Sequence, residues 1–261
     1  MSGGKTPTLL IVMGTSGSGK STVGTALSAA LHCPFVDGDD LHPASNVSKM
    51  SQGHPLNDTD REPWLIKIRQ TGLRLATTQT QPPSQQGETV KNLAEIYETS
   101  HAQTTPLDHS AATISSSSSS TTTTTTTTTE THPEPHHPPT GKLAIIACSS
   151  LKLTYRRLLR GTIPSLTHPT ALQPESSSPP PQDLKVIHIY LDLTRELLEE
   201  RMSNRKGHFM KLDMLYSQLD TLQVPDAERE PGVIVVEVRR GMSTEQIVRD
   251  VVGQLEKVGV L

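Results

Sequence analysis

The 261-residue chain predicts a three-layer α/β fold, a five-stranded parallel sheet flanked by helices, and three features point to it. Apolar, β-branched runs recur at 9–13, 34–36, 143–147, 186–191 and 233–238, with helical patterns between them. Strands that are apolar throughout, rather than alternately, are covered on both faces, as in a parallel sheet. The first run leads straight into Gly14-Thr15-Ser16-Gly17-Ser18-Gly19-Lys20-Ser21, which fits the pattern G-x-x-x-x-G-K-[ST]. Near the other end, Ser243 and Gln246 form a capping box ahead of Ile247, Val248, Val251, Val252 and Leu255 on one helical face.

In chain order, the strand at 9–13 delivers the glycine-rich loop and the helix at 22–31 leaves it. Glycines let the backbone close around phosphate oxygens, so that successive N–H groups and the helix N-terminus point at the anion. Lys20 is expected to reach the β- and γ-phosphates of ATP, and Ser21 to hold Mg²⁺. The expected ATP-binding set is Gly14, Thr15, Ser16, Gly17, Ser18, Gly19, Lys20, Ser21, Thr22 and Arg201.

Ligands of such sheets lie beyond the carboxyl ends of the strands. After the second strand come Asp37-Gly38-Asp39-Asp40, where a carboxylate can orient Mg²⁺ or accept the proton of an attacking hydroxyl. Residues 53–64 open a helix with Pro63 expected in its first turn and Asp58 or Asp60 as caps. Arg61 offers a planar fork suited to a carboxylate, and Trp64, the single tryptophan, reads as core. The third strand ends on Cys148-Ser149-Ser150-Leu151-Lys152. After the fourth, Thr194 caps a helix through Leu197, Leu198 and Met202 toward Arg205, which would put Arg201 and Arg205 one turn apart. The basic stretch through His208 and Phe209 reads as a lid, because arginines on a closing segment stabilise charge spread over a transferring phosphoryl group.

Apolar residues make up only 33% of the chain, and the deficit is local. Serines fill 115–120 and threonines 121–129, followed by a Pro/His-rich segment, a composition that cannot offset chain entropy by burial. Residues 79–141 are therefore expected to be disordered, and 162–183 to form a long polar loop, interruptions in a single domain spanning 1–261. A net charge of −3 without a concentrated basic face argues against nucleic acid as partner. Two cysteines, Cys33 and Cys148, are too few for a disulfide scaffold or zinc site, and read as buried thiols in a reducing compartment. Without a bilayer-length apolar run or a secretory leader, the expectation is a cytoplasmic protein with no membrane association.

Taken together, GTSGSGKST from Gly14, DGDDLHPASNVSKMSQGHPLNDTDREPWL from Asp37, CSSLKLTYRRLLR from Cys148 and NRKGHFMKLDMLYSQLDTLQVP from Asn204 resemble the gluconokinase family of small P-loop kinases. The resemblance implies a three-layer P-loop kinase fold similar to shikimate and nucleoside monophosphate kinases. It also implies transfer from ATP to the 6-hydroxyl of D-gluconate, giving 6-phospho-D-gluconate for the pentose phosphate pathway. By the same resemblance Lys20, Asp39 and Arg205 are catalytic, and Ser21 and Asp39 face the metal. Asp39, Lys49, Arg61, Lys152 and His208 are expected to contact the sugar acid, and similarity to the family suggests a homodimer. The third block departs from the family pattern at Leu153, where arginine is usual, and at Arg157, where aspartate is usual. Two other readings stay open at this point: a kinase of another hydroxy acid such as shikimate, and a P-loop regulatory protein impaired in catalysis.

Overall fold

The computed structural model describes residues 6–78, 142–172, 183–204 and 210–261. The insert at 79–141, residues 173–182 of the polar stretch, and Arg205 and His208 lie outside the described residues. Five strands, β1 (Thr8–Met13), β2 (Phe35–Asp37), β3 (Leu143–Ala147), β4 (Lys185–Asp192) and β5 (Val233–Glu237), form one parallel sheet in the order β2-β3-β1-β4-β5. β1 takes the middle position, and every one of its residues is buried.

Side chains alternate across that strand and feed two cores. Leu10 and Val12 pack with Val23, Leu27 and Leu31 of α1 (Lys20–Leu31) and with Ile247, Val251 and Leu255 of the last helix. Leu9, Ile11 and Met13 pack on the opposite face with Leu65 and Ile68 of α3 (Asp58–Thr78) and Leu158 and Leu159 of α4 (Leu153–Arg160). Between α1 and α3 lies α2 (Ala44–Ser51). The chain continues after β4 with α5 (Arg195–Ser203), α6 (Met210–Thr221) and, after β5, α7 (Thr244–Lys257). Among the described residues no helix is long and apolar enough to cross a membrane.

Both predicted caps form. Thr194 Oγ1 accepts from the Leu197 N–H, and the Ser243–Gln246 box closes in both directions at 2.7 and 3.3 Å. α3 differs from its expectation. Asn57 caps it by accepting from the Asp60 N–H at 2.9 Å while Asp60 Oδ2 accepts from the Asn57 N–H at 2.8 Å. This reciprocal cap starts the helix at Asp58, so Pro63 lies inside the helix rather than in its first turn. α5 ends at Ser203 with Asn204 as its C-cap, and the expected spacing of Arg201 and Arg205 falls partly outside the described residues.

The stretch from 162 is only partly a surface loop. Ile163 and Ala171 join the core beneath α3 and α4, with a 3₁₀ turn at Pro169–Leu172. Arg157, one of the family departures, is buried and donates from Nη1 to the Ala171 carbonyl at 2.9 Å, anchoring that turn. Its neighbour Arg156 is fully buried and pairs with Glu230 ahead of β5, Nε to Oε2 at 2.8 Å, while also donating to the Ser150 and Leu151 carbonyls.

α3 crosses β1 so closely at Gly72 that a Cβ there would lie 2.5 Å from Leu9 Cδ2. A Gly72→Ala variant should lose about 1–3 kcal/mol in urea unfolding through overpacking. The same change at Gly253 of α7, where a Cβ meets nothing within 4 Å, should instead gain about 0.5–1 kcal/mol.

Candidate active site

β1 ends at Met13, and the backbone turns at Gly14 into a loop that runs to α1. Gly19, the residue before α1, holds φ 95°, a left-handed conformation that glycine adopts without strain, and it supplies no side-chain cap. The first N–H groups of α1 are therefore left for another acceptor, the usual arrangement at a phosphate site. Lys20 folds back over the loop, its Nζ donating to the Thr15 carbonyl at 3.0 Å. Arg201 of α5 donates from Nη1 to the Ser18 carbonyl at 3.1 Å, which brings this predicted nucleotide contact onto the loop. Ser18 Oγ is buried and makes no protein hydrogen bond. Orphaned donors, an uncapped helix start and two cationic side chains fit a nucleotide triphosphate.

Ser21, on the first turn of α1, donates its hydroxyl to Asp37 Oδ2 at 2.5 Å. Asp37 also accepts from the Asp39 N–H at 3.1 Å, capping a 3₁₀ turn at Gly38–Leu41. Asp37 and Ser21 together present oxygen ligands beside the phosphate loop. Mg²⁺ on a nucleotide needs only one or two protein oxygens besides phosphate and water, so the donor set suits it. Among the described residues no group of three His, Cys, Asp or Glu side chains converges as a metal cage. The pairing of Ser21 with Asp37 was not anticipated.

Asp39 is held beside this pair by its surroundings. The Gly38 backbone lies against β3, where a Cβ would come 2.3 Å from the Ala147 carbonyl oxygen. Trp64 Nε1 donates to the Gly38 carbonyl at 2.7 Å, and its ring stacks on His42 with centroids 4.2 Å apart. Trp64 is thus core, as expected, and a support of the acidic turn as well. Burial raises the Asp39 pKa above the ordinary carboxylate value, the Asp37 charge adds to the rise, and Lys20 and His42 oppose it. Burial in turn lowers the His42 pKa, with Arg61 adding to the fall and Asp39 opposing it.

The remaining predicted residues gather around the first turn of α3. Lys152 Nζ lies 2.7 and 2.8 Å from the two oxygens of Asp58, and the Tyr155 hydroxyl donates to the same carboxylate. Lys49 pairs with Asp60 at 2.6 Å. Burial pushes the Asp58 pKa up, yet the hydrogen bonds from Lys152 and Tyr155 outweigh it and leave the value low. Arg61 donates from Nη1 to the Leu56 carbonyl and stands close enough to Asp58, Asp60 and His42 to bias all three titrations. Lys49, Arg61 and Lys152 are therefore held by one helix start. Asp58 and Asp60 do more than cap it, and sequence spacing alone carried no sign of either pairing.

The chain is 30% identical over 230 residues to the thermoresistant gluconokinase of Escherichia coli (strain K12), across 88% of this chain and 84% of that protein. The chain belongs to the gluconokinase family. A probable gluconokinase of Schizosaccharomyces pombe (strain 972 / ATCC 24843) is 31% identical over 233 residues, 89% of this chain and 81% of that one. The crystal structure of a gluconokinase from Sinorhizobium meliloti 1021 superposes with a TM-score of 0.56 at 27% identity, covering 98% of this chain and 95% of the other. A family model described as shikimate kinase matches residues 16–63, the span from the phosphate loop into α3.

An acid whose pKa is raised on folding makes a stability contribution that is present below its unfolded pKa and lost as pH rises through the folded value. Ionised Asp39 therefore opposes folding at neutral pH, though only weakly, since the residue is exposed and its charge is screened by solvent. Asp39→Asn should leave the melting temperature at pH 7 close to the parent's while phosphotransfer falls by about 10²-fold or more. The acid limb of the parent's pH–rate profile should lie above the usual carboxylate range.

Proposed function

We propose that the protein phosphorylates the 6-hydroxyl of D-gluconate at the expense of ATP, forming 6-phospho-D-gluconate in the cytoplasm. One observation carries this reading: the Asp39 carboxylate feels the charges of the phosphate-loop lysine, Lys20, and of His42, which in turn feels Arg61, while the first turn of α3 fixes Lys152 and Lys49. Family membership supports it.

In this reading the loop amides, Lys20 and Arg201 would bind the triphosphate, and Ser21 and Asp39, joined by Asp37 through its bond to Ser21, would hold Mg²⁺, which would neutralise phosphate charge. Asp39 accepts the hydroxyl proton, a role served by a pKa displaced upward from the normal carboxylate value. Arg61 offers its planar fork to the gluconate carboxylate, while Lys49 and Lys152, oriented by Asp60 and Asp58, supply further donors to the sugar acid. Catalysis then comes mainly from positioning and charge neutralisation. The reading takes residues 1–261 as a single catalytic domain and assigns no geometry to Arg205 or His208.

A coupled assay of ADP release tests this with gluconate, shikimate and nucleoside monophosphates offered separately. Gluconate should be turned over at least about 10²-fold faster than the others, since a site built to pair with polar groups rejects acceptors lacking them. Lys20→Ala should fold normally and lose about 10²–10³-fold in kcat. Equal turnover of shikimate, or an active Lys20→Ala, would sink the proposal.

A further inference from the structure

Ser16 lies in the phosphate loop, and its backbone N–H donates to Gln218 Oε1 at 2.6 Å across 202 positions of sequence. The contact is delivered by a seated helix. Leu215 of α6 is fully buried, and Leu219 packs against the core on the α1 and α7 side of the sheet. Just past the helix, the Gln223 N–H donates to the Leu151 carbonyl at 2.9 Å and Gln223 Oε1 accepts from the Leu153 N–H at 2.7 Å. Gln218 is thus placed by a segment fastened at its end to the same turn that carries Lys152.

Amides in such a loop serve to bind phosphate oxygens. Here one of them is held by a neutral carbonyl oxygen. A carboxamide also carries two N–H donors on its nitrogen, and among the described residues none accepts from Gln218 Nε2. The contact falls at the lysine's end of the loop, because Lys20 Nζ bonds the Thr15 carbonyl, one residue from Ser16. That lysine is the group that reaches the β- and γ-phosphates in loops of this type.

We propose that Gln218 is a further catalytic residue. Its Oε1 fixes the Ser16 amide, and its Nε2 donates to a γ-phosphoryl oxygen as that group passes to the acceptor. The inference rests on the phosphotransfer reading above. The carboxamide stays neutral, no proton leaves it, and its contribution is a fixed dipole aimed at developing charge.

The test compares Gln218→Ala and Gln218→Glu with the parent by steady-state kinetics, and by calorimetric titration with ADP and with a non-hydrolysable ATP analogue. Gln218→Ala should lower kcat by about 10²-fold, the usual effect of removing one such donor. Its affinity for the ATP analogue should weaken while that for ADP stays within about two-fold of the parent. Gln218→Glu keeps an acceptor for Ser16 but sets a carboxylate against the phosphate, so it should lose at least as much kcat and bind the analogue more weakly still. A kcat near the parent's in either variant would overturn the proposal. So would equal weakening of ADP and analogue, which marks a merely structural contact. Parent protein that fails to phosphorylate gluconate removes the phosphotransfer reading instead, since discrimination between ADP and the analogue is read with no acceptor present.

Discussion

The parallel register at the centre of the sheet is the constraint on which the site depends. Val12 of β1 pairs with Ala147 of β3, Met13 with Tyr190 of β4, and Asp37 of β2 with the same Ala147. The carboxyl ends of these strands therefore finish almost level, and the segments that follow them open onto one edge. A slip by one residue would turn Leu10 and Val12 toward α3 and Leu9 and Ile11 toward α1, exchanging two differently shaped cores. Core packing thus fixes the relative height of Gly14 and Asp37, and with it the reach from Ser21 to Asp37.

Charge is handled differently at two depths. The Arg156–Glu230 pair is buried and costly to desolvate, so its contribution to net stability is modest, although removing one partner would strand a buried charge. Its structural consequence is specific: Arg156 also holds the Ser150 and Leu151 carbonyls, and Ser150 adopts φ 44°, strained for a residue with a side chain. That turn leads directly to Lys152. Nearer the surface, the Lys49–Asp60 and Lys152–Asp58 pairs are partly solvated and add little stability. They orient cations instead.

What could be read from the chain followed from local physics. Uninterrupted apolar runs marked all five strands to within a residue or two, and the loop at 14–21 and both helix caps had spacings that only a few structures satisfy. The start of α3 was hidden because Asn57, Asp58 and Asp60 are all good capping residues, and only the reciprocal bond between Asn57 and Asp60 decides among them. Nothing in the spacing of Arg156 and Arg157 marks them as buried, yet both are buried by partners 74 and 14 residues away. Gln218 lies within the block from Asn204 that carries the family resemblance, yet nothing in its spacing singled it out. A single carboxamide in a helix whose neighbours are mixed in character carries nothing that points to a loop 202 residues earlier.

The site is assembled across the insert. Before it stand the phosphate loop, Asp37, Asp39 and the first turn of α3; after it stand Lys152, Tyr155, Arg201 and Gln218. Lys152 to Asp58, Arg201 to Ser18, Gln218 to Ser16 and Arg69 to both Asp183 and the Leu159 carbonyl join the halves, on top of β3 pairing with β1. The entropy of closing the connection between α3 and β3 rises only logarithmically, about 0.6 kcal/mol for each doubling of length. Several charge-assisted bonds and a buried strand pairing outweigh such an increment, so the geometry of the edge is set by contacts between the halves, and the length between Thr78 and Leu143 is free to vary.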